Sequence, residues 1–398
     1  EDKLDYLLEQ IDAIIPSPGI VLPKRIANSE KLVCELDLFY SIWKGPITAI
    51  TGSIGKTSTT SFLYQILKLN GNDICIGGNI GIPMIDLCTN ENIKKPFILE
   101  VSSAQLEHSK IFSPKNLIWT NIFENHIDYH GTFEKYIKAK ARILINNPSN
   151  IEYAVINKET KDILKKYNLL PKLKNLITTS DLTKNTHDTN TAYYNREGFH
   201  IYKNLILKNA LIPSFSHKSN WLSIATLLYK TGIDIKKAFE KIKDKKLDQP
   251  EHRLEYCGTI SDNIHVYNDS KSTIMESTIS AVNQINEKHQ NKPITLLIGG
   301  LSKGVDRSKY LKALLNNTKH IIVFGKKRFE FIEYANKNEI AICESIDTKD
   351  AIKLAKKITL ADGVILFSPG GSSFDEFSSF EKRGKYFKSI IHLIEIKN

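Results

Sequence analysis

The clearest chemical signal in the chain is the run Gly52-Ser53-Ile54-Gly55-Lys56-Thr57. Glycines let a backbone curl until successive N–H groups face one phosphate, and a helix starting there adds the positive end of its dipole. Lys56 can reach the outer phosphates of a nucleotide, and the Thr57 hydroxyl can bind Mg2+. The spacing is GxxGK[ST] rather than GxxxxGK[ST], so the plain alternative is a tight strand-to-helix turn with a chance Gly-Lys pair. Glu100 closes the apolar run Phe97-Ile98-Leu99. A carboxylate at the carboxyl edge of a parallel sheet can complete a Mg2+ site with Thr57, or simply face water. His126, Asp128 and His130 form H-x-D-x-H, which suits zinc only with a further ligand from elsewhere; a loop histidine with a local partner is the other reading. Lys140, on a helical stretch after His126, reads by itself as a surface lysine.

These groups need a strand, a loop and a helix to hold them. Residues 47–51 (ITAIT) are apolar and β-branched and run into the glycine loop; a helical pattern follows from 56 to about 69, closed by Asn70-Gly71. Further strands are expected at 73–77, 96–102, 116–123 and 153–157, with helices between most of them, including 132–146. Residues 192–205 break the rhythm and read as a hairpin turning at 195–198, followed by helices at 219–229 and 233–245. After Asp248-Gln249-Pro250 a second series begins, with strands at 254–260, 265–268, 293–299, 320–325, 340–344 and 363–368. The fold class is α/β, with mostly parallel sheets covered on both faces. The expected domains are 1–44, 45–248 and 249–398, the first too short to fold alone.

Composition narrows the function classes. The chain has 398 residues, 41% hydrophobic and 25% charged, which excludes a disordered polymer. No apolar run reaches the ~18 residues a membrane helix needs, so membrane insertion is not expected. Five scattered cysteines without a CxxC pair argue against a zinc ribbon or disulfide scaffold and fit a reducing cytosol. Lysine and arginine number 55 against 44 acids, a formal charge of +11. The lysines are interleaved with acids, as in 236–246, so no nucleic-acid partner is expected; a mild attraction for phosphorylated substrates is. The chain begins at Glu1 with an acidic, amphipathic stretch and no signal peptide, so the expectation is a sequence that starts inside a longer protein or has lost a leader.

Taken in order, the motifs carry a resemblance. They are Gly52 to Thr57, Gly77-Gly78-Asn79-Ile80-Gly81, Glu100-Val101-Ser102-Ser103-Ala104-Gln105-Leu106-Glu107, Asn125-His126-Ile127-Asp128-Tyr129-His130 and Ala139-Lys140-Ala141-Arg142. The second half adds His252-Arg253, Asn268-Asp269-Ser270-Lys271, Gly299-Gly300-Leu301-Ser302-Lys303-Gly304, Ser368-Pro369-Gly370-Gly371-Ser372-Ser373-Phe374-Asp375 and Phe380-Glu381-Lys382-Arg383-Gly384. From about Ser17 to the C-terminus the chain resembles the Mur ligases, and among them the members that add D-glutamate.

The resemblance implies a P-loop-like central ATPase domain, a C-terminal Rossmann-like domain, and the remnant of an N-terminal Rossmann-like domain. It implies a cytoplasmic, monomeric, ATP-dependent ligase of peptidoglycan biosynthesis that joins D-glutamate to UDP-N-acetylmuramoyl-L-alanine through an acyl phosphate. By the same resemblance Gly52, Ser53, Gly55, Lys56, Thr57 and Ser58 bind ATP phosphates, with Asn220 near adenine, Arg253 on phosphate and Asp269 on the ribose. Thr57 and Glu100 serve one Mg2+; His126 and a carbamylated Lys140 serve a second. Lys56, His126 and Lys140 form the catalytic set. Lys271, Thr273, Lys303, Ser373 and Phe380 form the D-glutamate pocket, while Gly19, Asn79 and Ser102 face the muramoyl substrate.

The chain departs from the family pattern at Ile54 and Ile274, where Asn is usual, at Asn125, where Asp is common, and around His217 to Asn220, which is one residue short. The family's N-terminal domain is present only in its last part, so the uracil pocket is expected in residues absent here, with exposed sheet edges on what remains. Two alternatives stay open: a sister amide ligase, either another Mur ligase or a folylpolyglutamate synthase, and an ATP-binding remnant without activity.

Overall fold

The computed structural model describes residues 8–180, 189–213, 217–243, 247–290 and 292–396, and the side chains up to 391. It divides into two compact units: residues 1–124 with 129–248, and residues 125–128 with 249–398.

In the first unit nine strands form one sheet. They are β1 (Ile47–Thr51), β2 (Cys75–Gly78), β3 (Phe97–Glu100), β4 (Asn116–Trp119), β5 (Tyr153–Asn157), β6 (Leu176–Ser180), β7 (Thr191–Tyr194), β8 (Gly198–Ile201) and β9 (Asn204–Lys208). The order is β2-β3-β1-β4-β5-β6-β7-β8-β9. Pairing is parallel through β7 and antiparallel from β7 to β9. Successive strand side chains point to opposite faces. Ile50, Ile98, Ile118 and Val155 therefore pack on one side with Phe62, Leu63 and Ile66 of the helix Lys56–Leu69 and with Trp221. Ile47, Ala49, Leu99, Leu117 and Trp119 face the other side, against Leu36, Phe39 and Tyr136. A sheet apolar on both faces is what a covered parallel sheet requires.

The sequence reading overran two strands. Strand β3 stops at Glu100 because Ser102 caps the next helix, and β4 stops at Trp119 because Thr120 and Asn121 turn toward the glycine loop. It also missed β6, whose Thr178, Thr179 and Ser180 are polar yet buried, and it took the three strands β7–β9 for one hairpin. The exposed N-terminal sheet edges are not found among the described residues. Segment 8–44 holds the helices Lys24–Ala27 and Glu35–Ile42 and a single isolated bridge between Ile14 and Leu32. Phe39 and Trp43 pack their rings on Phe97, with centroids 5.0 and 4.8 Å away. Asp37, on the same helix, accepts from Ser109 Oγ and Lys110 N at 2.6 Å and from Phe112 N at 3.0 Å.

The second unit has a six-stranded sheet. Its strands are β10 (Glu255–Ile260), β11 (Ile264–Asn268), β12 (Ile294–Ile298), β13 (His320–Val323), β14 (Cys343–Glu344) and β15 (Val364–Phe367), in the order β10-β11-β15-β12-β13-β14. Only β10 and β11 pair antiparallel. Strands β11, β15 and β12 are neighbours, so the loops after Asn268, Ile298 and Phe367 share one edge.

All three tryptophans, Trp43, Trp119 and Trp221, lie in the first unit, so indole fluorescence reports that unit alone. Asp37→Ala removes a buried charged acceptor from several backbone donors and is expected to lower the unit's unfolding free energy by about 3 kcal/mol, with Asp37→Asn costing roughly half as much. A urea titration followed at the tryptophans checks this; equal midpoints for wild type and D37A would show that Asp37 does not hold the segment.

Candidate functional site

The glycine loop begins where β1 ends. Gly52 and Gly55 have φ of 148° and 84°, backbone that side-chain-bearing residues rarely adopt, and Gly55 caps the helix Lys56–Leu69. Lys56 folds back over the loop, its Nζ donating to Gly52 O at 2.9 Å and Ser53 O at 3.1 Å. Thr57 and Ser58 are buried in the first turn. The loop is tied from beneath. Asn121 Oδ1 accepts from Ile54 N at 2.9 Å, Thr120 Oγ1 donates to Ile54 O at 2.6 Å, and the Ser53 hydroxyl lies 2.8 Å from Tyr136 Oη. Ile54 thus offers only backbone contacts where the family usually has Asn, and those contacts are made.

Lys140 is not a surface lysine. It is 1% exposed, and its Nζ donates to Thr51 Oγ1 at 3.1 Å and Gly52 O at 3.0 Å. It sits on the buried face of the helix Phe133–Ile145, beside Tyr136, Ile137, Ala141 and Leu144. Burial, reinforced by the Lys56 charge and opposed by Glu100, pushes its pKa well below the ordinary lysine value. Glu100 ends β3 and is also 1% exposed. Its Oε1 accepts from Asn79 Nδ2 at 2.8 Å, while its buried Oε2 has no hydrogen-bond partner among the described residues. A buried carboxylate oxygen left open suits a hard cation.

Ser102 caps the helix Ser103–Leu106 in a reciprocal box with Gln105. Gly19, with φ of 89°, is exposed and borders a small pocket together with Gln105, His108 and Tyr129. Asn220, near the start of the helix Lys218–Lys230, is buried against Gly55, where a side chain on the glycine would strike its amide. The zinc reading of H-x-D-x-H does not hold. His130 is buried and meets Ser103 Oγ at 3.0 Å, while His126 lies in 125–128 with the second unit, and no group of three His, Cys, Asp or Glu among the described residues could hold a metal.

In the second unit the expected residues line the shared loop edge. His126, with φ of 55°, donates its N–H to Asn125 Oδ1, and Asp128 N reaches Lys303 O at 3.4 Å. Arg253 is flanked by two residues of positive φ, His252 and Leu254. Asp269 is buried, accepting from Ser368 Oγ at 2.7 Å and Leu254 N at 3.2 Å. Burial raises its pKa to about 7, against the opposing pull of the Ser368 hydroxyl and Arg253. Lys303 Nζ donates to Thr273 Oγ1 at 3.0 Å, Lys271 Nζ lies 5.0 Å from the Phe380 ring centre, and Ser373 is buried. Ile274 is the cap residue of the helix Met275–Lys288 and makes no side-chain cap bond.

The structure therefore gathers Lys56, Thr57, Glu100, Asn79, Lys140 and Asn220 in the first unit, and Arg253, Asp269, Lys271, Thr273, Lys303, Ser373 and Phe380 with His126 in the second. Sequence reading overlooked Thr51, Thr120, Asn121 and Tyr136. The one legible sign was Tyr136, four residues before Lys140 and so on the same helix face.

Comparison with known proteins follows the same division. Residues 50–225 match the Mur ligase middle domain. A UDP-N-acetylmuramoylalanine–D-glutamate ligase of Bacillus cereus (strain G9842) is 34% identical over 98% of this chain and 85% of its own length. The ligase of the same name from Bacillus thuringiensis (strain Al Hakam) is 32% identical over the same shares. Among solved structures, the MurF ligase of Thermotoga maritima in complex with ADP aligns with a TM-score of 0.65 at 18% identity, covering 98% of this chain and 92% of its own. A bifunctional folylpolyglutamate synthase/dihydrofolate synthase of Yersinia pestis aligns at 0.63 and 12% identity, over 98% of each chain. At such identities these two share the fold alone, whereas the curated relatives cover almost the whole chain at a third of its positions. The chain belongs to the Mur ligases, and within them to the UDP-N-acetylmuramoylalanine–D-glutamate ligases.

Proposed function

We propose that this chain joins D-glutamate to UDP-N-acetylmuramoyl-L-alanine with ATP, in the cytoplasm and as a monomer. Residues 1–44 lie on the UDP-sugar side, 45–248 bind ATP and 249–398 bind the amino acid. One observation carries the reading: a glycine loop with Lys56 folded over it stands beside a buried lysine and a buried carboxylate with an open oxygen. That set has no use in a packing core and fits a polyphosphate with its counter-ions.

A carboxylate is a poor electrophile, so the muramoyl-alanine carboxylate first attacks the terminal phosphorus of ATP, and ADP leaves. The D-glutamate amine then attacks the acyl phosphate, loses a proton, and phosphate departs. The loop N–H groups and Lys56 would hold the phosphates where charge develops. Within the first unit, Thr57 and Glu100 would hold one Mg2+, and carbamylated Lys140 would offer an oxygen donor to a second. When bound, Mg2+ neutralises charge on the phosphoryl oxygens. Carbamylation needs a neutral amine. Burial keeps the Lys140 nitrogen closer to that form than an exposed lysine, so its lone pair can attack CO2 and release a proton, leaving an anionic oxygen donor. Asn220, which packs against Gly55, is read as the adenine contact, and Asp269 is read as a ribose contact, as the family resemblance implies. Lys303 and Thr273 point a cation and a hydroxyl at one spot, suited to a carboxylate of D-glutamate, with Lys271, Ser373 and Phe380 beside it. The UDP-sugar side is read from Gly19, Asn79 and Ser102.

The test is D-glutamate-dependent phosphate release and product formation from UDP-N-acetylmuramoyl-L-alanine; no D-glutamate dependence would reject the reading. Lys56→Ala is expected to lower turnover by about a hundredfold or more, with the tryptophan unfolding midpoint preserved. Lys140→Ala should be inactive and partly recovered by added acetate or propionate, which can supply the missing carboxylate; full activity without them would dismiss the carbamate. Lys303→Ala should raise KM for D-glutamate about tenfold or more while leaving KM for ATP within roughly twofold, as expected for lost ground binding of one substrate.

A further inference from the structure

The loop that carries Lys303 is held in an unfavourable shape. Gly300, Lys303 and Gly304 all have positive φ, at 75°, 53° and 76°. A lysine in that region is strained, and such a conformation persists only where its surroundings impose it. Three contacts do so. Leu301 and Ser372 exchange both backbone hydrogen bonds at 2.9 Å, joining this loop to the one that carries Ser373. Gly299 N donates to Pro369 O at 2.8 Å. The third contact is a side chain outside the expected pocket.

Arg307 is 2% exposed. Its Nη1 donates to Gly299 O and its Nη2 to Gly300 O, both at 2.8 Å, so one guanidinium spans two successive carbonyls. The guanidinium stacks on the Phe331 ring, 4.8 Å from its centre, and lies 3.7 Å from Glu330. Its Nη1 also fills the space a side chain at Gly371 would need. From the far side Arg383, 1% exposed, donates to Gly371 O at 3.0 Å and Ser270 O at 2.7 Å. A buried guanidinium is costly to desolvate, and a hydrophobic residue would pack a core as well or better. What Arg uniquely offers is a rigid fork of donors matched to two acceptors. Here the acceptors belong to the turn that leads into Lys303.

We propose that Arg307 is a positioning residue for amino-acid selection: its bidentate clamp on Gly299 and Gly300 holds the strained Lys303 loop so that Lys303 Nζ meets Thr273. This rests on the reading of Lys303 and Thr273 as the D-glutamate pocket. Arg307 itself touches neither the pocket side chains nor, on this view, the substrate.

Two readouts on the full chain test it. The first is hydrogen exchange at the Leu301 and Ser372 amides, which needs no turnover. Arg307→Met, which keeps the aliphatic stem and loses both carbonyl bonds, should speed their exchange, and Arg307→Lys should do so to a lesser degree. The second is steady-state kinetics. R307M should raise KM for D-glutamate about tenfold with KM for ATP within roughly twofold, R307K should be intermediate, and Glu330→Gln, which leaves both carbonyl bonds in place, should change neither KM by more than about twofold. If R307M does not fold, R307K carries both readouts. Unchanged exchange at Leu301 and Ser372, or equal rises in both KM values, would overturn the clamp. A wild-type chain that shows no D-glutamate dependence, together with faster exchange in the variants, would reject the pocket reading and leave the clamp standing.

Discussion

A lysine nitrogen buried between a threonine hydroxyl and the first carbonyl of the glycine loop sets the terms for the first unit. Lys140 Nζ donates to Thr51 Oγ1 at 3.1 Å and to Gly52 O at 3.0 Å, at the point where β1 becomes the loop. A charge there is expensive, and the surroundings reduce its cost in two ways: they favour the neutral amine, and they place the Glu100 carboxylate where it opposes the shift. The helix Phe133–Ile145 must then present Lys140 and Tyr136 inward together, with Tyr136 reaching Ser53 and its ring lying 5.3 Å from Lys140 Nζ. Strand β3 must end at Glu100, next to β1 in the sheet, as the parallel register of Ile50 opposite Glu100 ensures. The need to partner these buried polar groups thus dictates which residues end β1 and β3.

The second unit meets a related demand with backbone rather than buried charge alone. Its loops after β12 and β15 contain glycines and residues of positive φ, and they are stitched by backbone bonds and two buried arginines. Such loops can approach a ligand closely because they carry few side chains of their own. Besides those backbone bonds, Arg307 and Arg383 satisfy the carbonyls of Gly299, Gly300 and Gly371. In both units the residues read as a site lie at the carboxyl edge of a mostly parallel sheet, where ligands commonly bind in such folds.

Much of this was legible in residue order. The β-branched run before Gly52, the glycines, and the amphipathic stretch after them describe a strand, a glycine turn and a helix, and all three formed close to the expected bounds. In the second unit β12, β13 and β15 fell on their apolar runs because both faces of a covered parallel sheet must be apolar, whereas of the expected strand 340–344 only Cys343–Glu344 formed. Strand β6 escaped because Thr178, Thr179 and Ser180 are polar by type and buried by context, packed within a sheet that composition alone does not reveal.

The sequence by itself determined the class of fold, the order of most strands' apolar runs, the glycine turn before the helix Lys56–Leu69 and the family, since each depends on local residue type and spacing. Tertiary structure decided what those types mean. Lys140, a surface residue by type, became a buried amine because its helix face meets the end of β1; His130, half of a zinc-like pattern, became a partner of Ser103; and Arg307, unremarked among its neighbours, became the fork across Gly299 and Gly300. The physical reason is common to the three. Burial and the partner across a contact set the charge state and hydrogen bonding of a polar side chain, and both arise from segments far apart in the chain.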